Sequence, residues 1–351
     1  MKTDILDNEK VVKKERKSIF RVISDFFYDV SVKLHNIFKK EENKKSTLKD
    51  QRKKKLRFYT LLLIFPVIQF LIFYVFVNFN SILLAFQEFN QDTANFDFLQ
   101  IDQLFANFIK VVDDLFNNKE MQMATSNSFK IYFCSLLIGT PLNLIFAFLM
   151  YKKIPGHGAF RIVLFLPQII SSLIISLMFK YFVEVGATEI IKALTGETVH
   201  LLTDRDTGFS TIMFYCIWAS FGSQIIIYTN AFSQISPELI EYGKLEGINL
   251  WQEFFLVALP LIFPTITIYL VAGVAGIFTN QAALFNFFGP GANPDVQTLG
   301  YIFFVKVLKS ETAAYAMYPY ASAAGLLFTA VATPLTLLIK WALEKFGPRE
   351  D

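Results

Sequence analysis

The sequence predicts an all-α integral membrane fold with about six transmembrane helices, and three observations support this fold class. Hydrophobic residues make up 54% of the chain, which contains 40 Phe and has a mean hydropathy of +0.42. A soluble domain of 351 residues would not bury that much apolar surface, so lipid is the simpler solvent. Long apolar runs without charge recur along the chain, and 18 of the 33 Lys and Arg residues precede the first run.

The transmembrane helices are predicted from charge-free apolar runs, because a helix needs about 20 apolar residues to cross a bilayer. The runs comprise residues 58–77, 131–151, 162–179, 209–231, 254–279 and 313–339. This even number of crossings places both termini on the same side of the membrane.

The charges of the connections indicate which side the termini occupy. Lys152, Lys153 and Arg161 lie between the second and third runs, and Lys340 and Lys345 follow the sixth. The connection after the first run is instead mainly acidic. Because basic loop residues tend to stay on the cytoplasmic side, both termini are predicted to be cytoplasmic.

Residues 1–57 are predicted to be a basic cytoplasmic N-terminal extension. Apolar residues recur in it at helical spacing between basic residues, namely Ile19, Ile23, Phe26, Val30, Leu34 and Phe38. This pattern is typical of an amphipathic cationic helix on anionic lipid, and a solvated regulatory extension fits it equally well. Residues 44–55 then form a flexible basic linker. The transmembrane domain is assigned to residues 58–345, and residues 346–351 form a cytoplasmic tail.

Residues 280–311 are predicted to form a short bent excursion at the outer surface. They contain Gly289, Pro290, Gly291 and Pro294, and both residue types interrupt helices. The apolar stretch at residues 301–308 is too short to span a bilayer.

The connection between the fourth and fifth runs, residues 233–254, is predicted to present two short helices to the cytoplasm. Ser236 is a suitable cap for the first helix, and Pro237 suits its first turn. Gly247 supplies the turn between the helices. Asn249 and Gln252 then have the spacing of a capping box at the start of the second helix.

The helix pair is predicted to dock in a groove of a partner protein. Its expected exposed face mixes apolar and charged side chains, a pattern suited to such docking. These side chains are Leu239, Ile240 and Leu245 together with Glu241, Lys244 and Glu246.

This connection resembles the Glu-Ala-Ala loop of the permeases of binding-protein-dependent ABC importers. Glu241-Tyr242-Gly243 occupies the signature triplet, and three residues then lead to Gly247. Nine more lead to Val257-Ala258-Leu259-Pro260. The chain departs from the family pattern at Tyr242 and Gly243, which replace the two alanines, and at Glu246, which replaces the usual Asp. Small residues are favoured at the triplet because they allow a close approach to the partner.

Weaker similarity to the sugar-permease branch, of the maltose and oligosaccharide type, extends outward from this loop over roughly residues 58–345. It involves Asn127-Ser128-Phe129, Arg161, Phe165-Leu166-Pro167, Trp218 and Tyr320-Ala321-Ser322-Ala323. The resemblance implies an ABC importer permease fold. It also implies that the protein takes part in the import of a neutral sugar or oligosaccharide across the bacterial cytoplasmic membrane.

The resemblance also implies partners and roles. The loop at residues 236–260 would fit a cleft on a separate ATPase, with Glu241 as the charged anchor and Gly247 as the hinge. Gly243, Leu259 and Pro260 belong to the same coupling set. The complex would contain a second, similar permease, two ATPase copies and an extracytoplasmic solute-binding protein.

The chain itself is predicted to be non-catalytic and to carry no cofactor or metal. It has no Gly-x-x-x-x-Gly-Lys-Ser/Thr phosphate-binding loop, so ATP and Mg²⁺ would be bound by the partner ATPase. His35, His157 and His200 are scattered, and no nucleophile–base arrangement can be proposed. Lipid is the expected contact of the apolar surface, and no nucleic-acid partner is predicted.

Two alternatives remain. One is an ABC permease for another neutral or zwitterionic solute, such as a peptide or an amino acid. The other is a secondary transporter or channel, which usually carries ionisable residues at membrane depth. The apolar runs contain no Asp, Glu, Lys, Arg or His, and this favours an external motor.

Five uncharged polar residues are candidate substrate contacts. The resemblance to maltose-type permeases places sugar contacts at Ser220, Ser223 and Gln224 in the fourth run and at Thr279 and Asn280 where the fifth run ends. An uncharged site fits a neutral ligand, which pockets hold with a few polar groups in an apolar wall. Ser, Thr and Asn also join membrane helices, so packing is the alternative role for each residue.

Overall fold

The computed structural model describes residues 48–308 and 311–348. The chain separates into two compact units, Met1–Val77 and Asn78–Asp351. The predicted amphipathic helix around residues 19–38 lies outside the described residues, as does the end of the tail at residues 349–351.

The described part of the first unit is helical. Helix α1 covers Leu48–Phe70 and continues through a π-helical turn, Leu71–Phe76. The flexible linker predicted at residues 44–55 is therefore wrong from Leu48 onward, because the basic residues there form the first turns of a helix. The apolar side chains of α1 are exposed, as expected for a helix solvated by lipid.

The second unit is built almost entirely from helices. Helix α2 (Val77–Leu84) begins at the last residue of the first unit. The first part of the second unit then contains β1 (Gln87–Asn90), β2 (Asn95–Phe98), α3 (Ala106–Asn117), α4 (Lys119–Cys134), α5 (Thr140–Tyr151), α6 (His157–Ile169), α7 (Ser172–Tyr181) and α8 (Thr188–Thr195). Its second part contains α9 (Gly208–Ser233), α10 (Pro237–Leu245), α11 (Leu250–Gln252), α12 (Leu259–Leu261), α13 (Phe263–Thr279), α14 (Leu284–Phe288), α15 (Leu299–Leu308) and α16 (Glu311–Phe346). The two strands form an antiparallel hairpin in which Gln87 pairs with Phe98.

Five helical segments among the described residues are long and apolar enough to cross a membrane. They are Gln51–Leu84, Lys119–Tyr151, Gly208–Ser233, Phe263–Phe288 and Met317–Phe346. Each of them overlaps one of the predicted crossings, and the helical membrane fold is confirmed.

The crossing predicted at residues 162–179 is divided between α6 and α7. Ile170 and Ser171 are extended between the two helices, with ψ angles of 142° and 136°. Pro167 removes one backbone donor near the end of α6, and a serine pair then starts α7, which is consistent with a break at this point. The first half ends at Ile169, whereas α7 continues through a π-helical turn, Phe182–Ala187, directly into α8.

The helices enclose two hydrophobic cores. The first core lies among α4, α9, α15 and α16, and its largest buried side chains include Tyr301 and Phe287. The second core joins the ends of α5 and α9 to α10 and to the start of α13, around Phe148, Phe232 and Phe254. The rings of Phe148 and Phe254 are 5.0 Å apart.

The segment after α13 is bent, as the sequence predicts, and part of it packs into the helix bundle. Residues 296–302 are buried in or against the first core. The Asn127 side chain donates to the backbone oxygens of Asp295 and Gln297, at 2.8 and 3.0 Å. Gly300 lies so close to the backbone of Thr279 that a Cβ would be 2.5 Å from it. The polar side chains of α4 thus hold this segment inside the helix bundle.

Tyr301 fixes the turn of the same segment. Its hydroxyl donates to the Gly289 oxygen at 2.8 Å and accepts from the Ala292 amide at 2.9 Å. Burial raises the pKa of the Tyr301 hydroxyl above its ordinary value.

Candidate functional site

The connection at residues 233–254 forms the predicted pair of short helices. After α10, the Ile248 amide donates to the Gly243 oxygen and the Gly247 amide donates to the Lys244 oxygen, which is a Schellman motif. Gly247 has a φ of +74°, a left-handed conformation that glycine adopts without strain. The sharp turn predicted at Gly247 is confirmed.

The start of the second helix carries the predicted capping box. The Gln252 amide donates to the Asn249 side chain at 2.9 Å, and the Asn249 amide donates to the Gln252 side chain at 2.8 Å. Ser236 occupies the predicted cap position of α10, but its hydroxyl donates to the Glu238 carboxylate at 2.6 Å and makes no capping bond to a backbone amide. The turn is therefore fixed by the Schellman motif on one side and the capping box on the other.

Gly243 provides space inside the turn. A Cβ at this position would lie 2.6 Å from the Cδ1 atom of Ile248. The absence of a side chain lets Ile248 fold back over the last turn of α10, a contact that often accompanies a Schellman motif. An alanine would require the end of the Ile248 side chain to move.

One face of α10 is anchored and the other is exposed. Ile240 is buried in the second core together with Ile235, so its predicted place on the exposed face is wrong. Glu241 and Tyr242 are exposed, and Leu245 is 84% exposed. Because a helix has about 3.6 residues per turn, Ile240 lies on the buried face of α10, whereas Glu241, Tyr242 and Leu245 lie on the exposed face. The exposed face thus presents a carboxylate beside large apolar side chains.

The second half of the connection joins the loop to the membrane region. A π-helical turn, Glu253–Ala258, leads into α12, which contains the half-buried Leu259 and Pro260. The chain bends at Ile262 before α13 begins. The fifth predicted crossing is therefore not one straight helix.

The candidate substrate residues of α9 differ in their surroundings. The hydroxyls of Ser220 and Ser223 donate to backbone oxygens of their own helix, at 2.8 and 3.2 Å. The Gln224 Oε1 atom accepts from the Nδ2 atom of Asn143 in α5, at 2.6 Å. Asn143 is fully buried, and its own Oδ1 atom has no hydrogen-bond partner among the described residues.

The other two candidates lie at the end of α13. Thr279 lines a cavity of about 480 Å³ between α13, α15 and α16, whose wall contains Phe278, Phe303 and Phe328. The Asn280 side chain accepts from the Ala282 amide at 2.8 Å and so caps a turn. Ser220, Ser223 and Gln224 do not line this cavity. The five residues thus occupy two places rather than one pocket.

Three polar residues of the membrane region were missed by the sequence analysis. Asn143 lies inside the second predicted run. The pattern of residues within that run does not indicate that its side chain would bond to a residue of α9. Lys152 was used only as a loop charge and Glu253 was given no role, although the two form an ion pair. Their pairing depends on the meeting of two connections that are far apart in sequence. No group of three His, Cys, Asp or Glu residues in the described part of the chain is placed to hold a metal ion.

The fold and the loop are consistent with a comparison of the sequence with known families. Residues 139–351 match the family described as "Binding-protein-dependent transport system inner membrane component". The chain belongs to this family. It is therefore a multi-pass membrane subunit of a transport system, and the resemblance noted at the Glu-Ala-Ala loop is confirmed.

Relatives of this inner membrane component include named sugar permeases. The multiple sugar-binding transport system permease protein MsmF of Streptococcus mutans is 27% identical over 79% of this chain and 92% of its own length. The arabinooligosaccharides transport system permease protein AraP of Bacillus subtilis is 22% identical over 78% of this chain and 84% of its own length.

Solved structures support the fold of the inner membrane component. A bacterial ABC transporter involved in the import of the acidic polysaccharide alginate contains a chain with a TM-score of 0.69 and 22% identity, covering 85% of this chain and 99% of that chain. The alginate transporter in complex with its alginate pentasaccharide-bound periplasmic protein gives a TM-score of 0.68 and 20% identity, covering 86% of this chain and 98% of that chain. The ABC importer permease fold is thus confirmed.

Proposed function

We propose that the chain is the permease subunit of an ATP-driven importer for a neutral sugar or oligosaccharide. The observation that carries the proposal is the exposed helix pair at residues 233–254, which is built with both a Schellman motif and a capping box. The sugar names of the family relatives support the substrate class.

The proposed complex contains a second, similar permease, two ATPase copies and an extracytoplasmic binding protein. The family description names a binding protein, and one fold neighbour was solved with a periplasmic one. ATP and Mg²⁺ are bound by the ATPase copies, and this chain is not catalytic. The complex sits in the bacterial cytoplasmic membrane with both termini of this chain in the cytoplasm.

The exposed face of α10 is the proposed ATPase contact. Glu241 is its anchor, Gly243 and Gly247 shape its turn, and Leu259 and Pro260 carry movement into the membrane region. Leu245 is the most exposed large apolar side chain of α10 and supplies apolar contact area. An apolar and acidic surface of this kind is suited to a groove with a basic rim.

The proposed sugar contacts are Ser220, Ser223, Gln224, Thr279 and Asn280. With Asn143 bonded to its oxygen, Gln224 keeps an amide donor that can face a sugar hydroxyl. Thr279 lies in a cavity wall that combines aromatic rings with hydroxyl groups, and sugar sites have the same combination.

The ATPase contact is tested by co-purification of the ATPase with variants of the permease. Glu241→Arg reverses the anchor charge, and we expect it to lower the amount of ATPase that co-purifies. Glu189→Arg, at an exposed glutamate of α8 far along the chain, is the matched control and should retain wild-type amounts. Full ATPase recovery with Glu241→Arg would contradict the proposed contact.

The alternative solutes, a peptide or an amino acid, predict a different result from the same complex. A neutral or zwitterionic solute of that kind, and not a sugar, would then stimulate ATP hydrolysis through the loaded binding protein. A secondary transporter or channel would move solute in the absence of any ATPase.

A further inference from the structure

A buried ion pair connects the coupling loop to the end of α5. Lys152 directly follows α5, and Glu253 opens the π-helical turn after α11. The Lys152 ammonium and the Glu253 carboxylate are in direct contact, and the two side chains are only 17% and 7% exposed. Neither group faces water as an ordinary loop charge would.

Aromatic rings surround the basic partner. The Lys152 Nζ atom lies 5.7 Å from the centre of the Phe148 ring and 5.6 Å from that of the Tyr151 ring. Ring faces attract a cation, and the apolar surroundings weaken screening of the pair. The Phe148 ring also packs on Phe232 and Phe254 at 5.5 and 5.0 Å. The ion pair therefore lies at the edge of the second core.

The coupling loop is rigid between its exposed face and this ion pair. Ile240 fixes α10 in the second core, and the Schellman motif and capping box fix the turn that follows. Glu253 comes directly after the Gln252 of that capping box. A push on α10 is thus transmitted to Glu253 with few freely rotating bonds between them.

A buried ion pair is a weak source of stability, because desolvation of the two charges offsets their attraction. In some proteins such a pair serves instead to select one relative arrangement of the elements that it joins. Here the joined elements are α5, which carries Asn143, and the loop that faces the ATPase.

We propose that Lys152 and Glu253 are positioning residues that make α5 and the coupling loop move as one body during the ATP cycle. The proposal rests on the proposed function and adds a route from the loop to α5, and through the Asn143–Gln224 bond to α9. Neither residue belongs to the proposed sugar contacts or to the exposed face of α10.

The first test measures sugar imported per ATP hydrolysed by the complete complex in proteoliposomes. Lys152→Met keeps the aliphatic stem and removes the charge, and Lys152→Met with Glu253→Gln leaves no unpaired buried charge. We expect both to lower the ratio by roughly 2- to 30-fold, the usual range for residues that carry coupling between sites. Lys153→Met, at the exposed neighbouring lysine, should leave the ratio unchanged.

A charge exchange separates positioning from simple folding. Lys152→Glu combined with Glu253→Lys restores the ion pair with its charges exchanged. The amount of sugar imported per ATP should therefore be higher in this double variant than in either single variant, though below that of the wild type. The recovery is partial because the rings of Phe148 and Tyr151 then face a carboxylate. A ratio as high as the wild type in the uncharged double variant, with the complex assembled, would overturn the proposal.

A second test does not depend on the substrate. Spin labels at Lys153→Cys and at the exposed Gln234→Cys, in a chain with Cys134→Ala and Cys216→Ala, report the distance between the end of α5 and the start of the coupling loop. In the wild-type pair this distance should stay constant between nucleotide-free and vanadate-trapped complexes, and it should change in Lys152→Met. A distance that stays constant in the wild-type pair and in Lys152→Met alike would overturn the positioning role. If the distance changes only in Lys152→Met but the complex imports no sugar, the proposed substrate is rejected and the positioning role stands.

Discussion

At the scale of single residues, Gly247 is the clearest case of a conformation that the sequence determines. Its φ of +74° suits glycine, and a Cβ there would meet no atom within 4 Å. The cost of Gly247→Ala is therefore purely conformational, about 1–2 kcal/mol of unfolding free energy, because an L-residue is strained in this region. Thermal unfolding of the purified complex should show a lower midpoint for Gly247→Ala than for Gly247→Asn, since Asn tolerates this conformation better. Equal midpoints for the two variants would contradict the assigned backbone.

Asn143 gives a second prediction at the residue scale. We expect Asn143→Leu to raise the sugar concentration needed for half-maximal uptake, because Gln224 loses the partner that orients its amide. Folding should be preserved, since a hydrogen bond between membrane helices contributes only about 0.6 kcal/mol on average. If Asn143 acts through Gln224, the variant with both Asn143→Leu and Gln224→Ala should need no higher sugar concentration for half-maximal uptake than Gln224→Ala alone. Additive losses would show that the two residues act independently.

At the scale of elements, the two faces of α10 are expected to have different roles, the buried face in stability and the exposed face in partner binding. Ile240→Ala should destabilise the chain by about 2 kcal/mol or more, because it removes a side chain buried in the second core. Leu245→Ala removes a side chain that is 84% exposed and should leave the thermal midpoint unchanged. The same variant should lower ATPase co-purification, since the apolar contact area is lost. The account is contradicted if Leu245→Ala destabilises the chain while ATPase recovery is unaffected.

Local sequence patterns predict some elements of the fold and miss others. The capping box and the Gly247 turn follow from local spacing, so both were predictable. The helix that ends at Tyr151 begins at Lys119, twelve residues before its charge-free run, because its first half is amphipathic and buries Met121, Ala124 and Asn127. A search for uncharged runs misses such a half. Ile240 was misplaced for a related reason, since an apolar residue in a short helix does not reveal which face the rest of the fold will cover.

At the scale of the whole molecule, the membrane fold follows from composition, whereas the polar contacts inside it do not. Residues 296–302 pack in the first core, where α4 supplies Asn127 and Ser128 as hydrogen-bond partners from far away in sequence. The ion pair of Lys152 and Glu253 likewise joins two distant connections. Spacing within one segment contains no information about such meetings. The predicted sugar contacts were for the same reason not brought into one pocket.

The central claim is that this chain imports a sugar with energy from a separate ATPase. Its most direct test is the uptake of labelled oligosaccharides into proteoliposomes that contain the two permeases and the ATPase, with the loaded binding protein outside and ATP inside. The account predicts uptake that requires both ATP and the binding protein, is blocked by vanadate and is lost in Glu241→Arg. Sugar uptake that continues without the ATPase would contradict it.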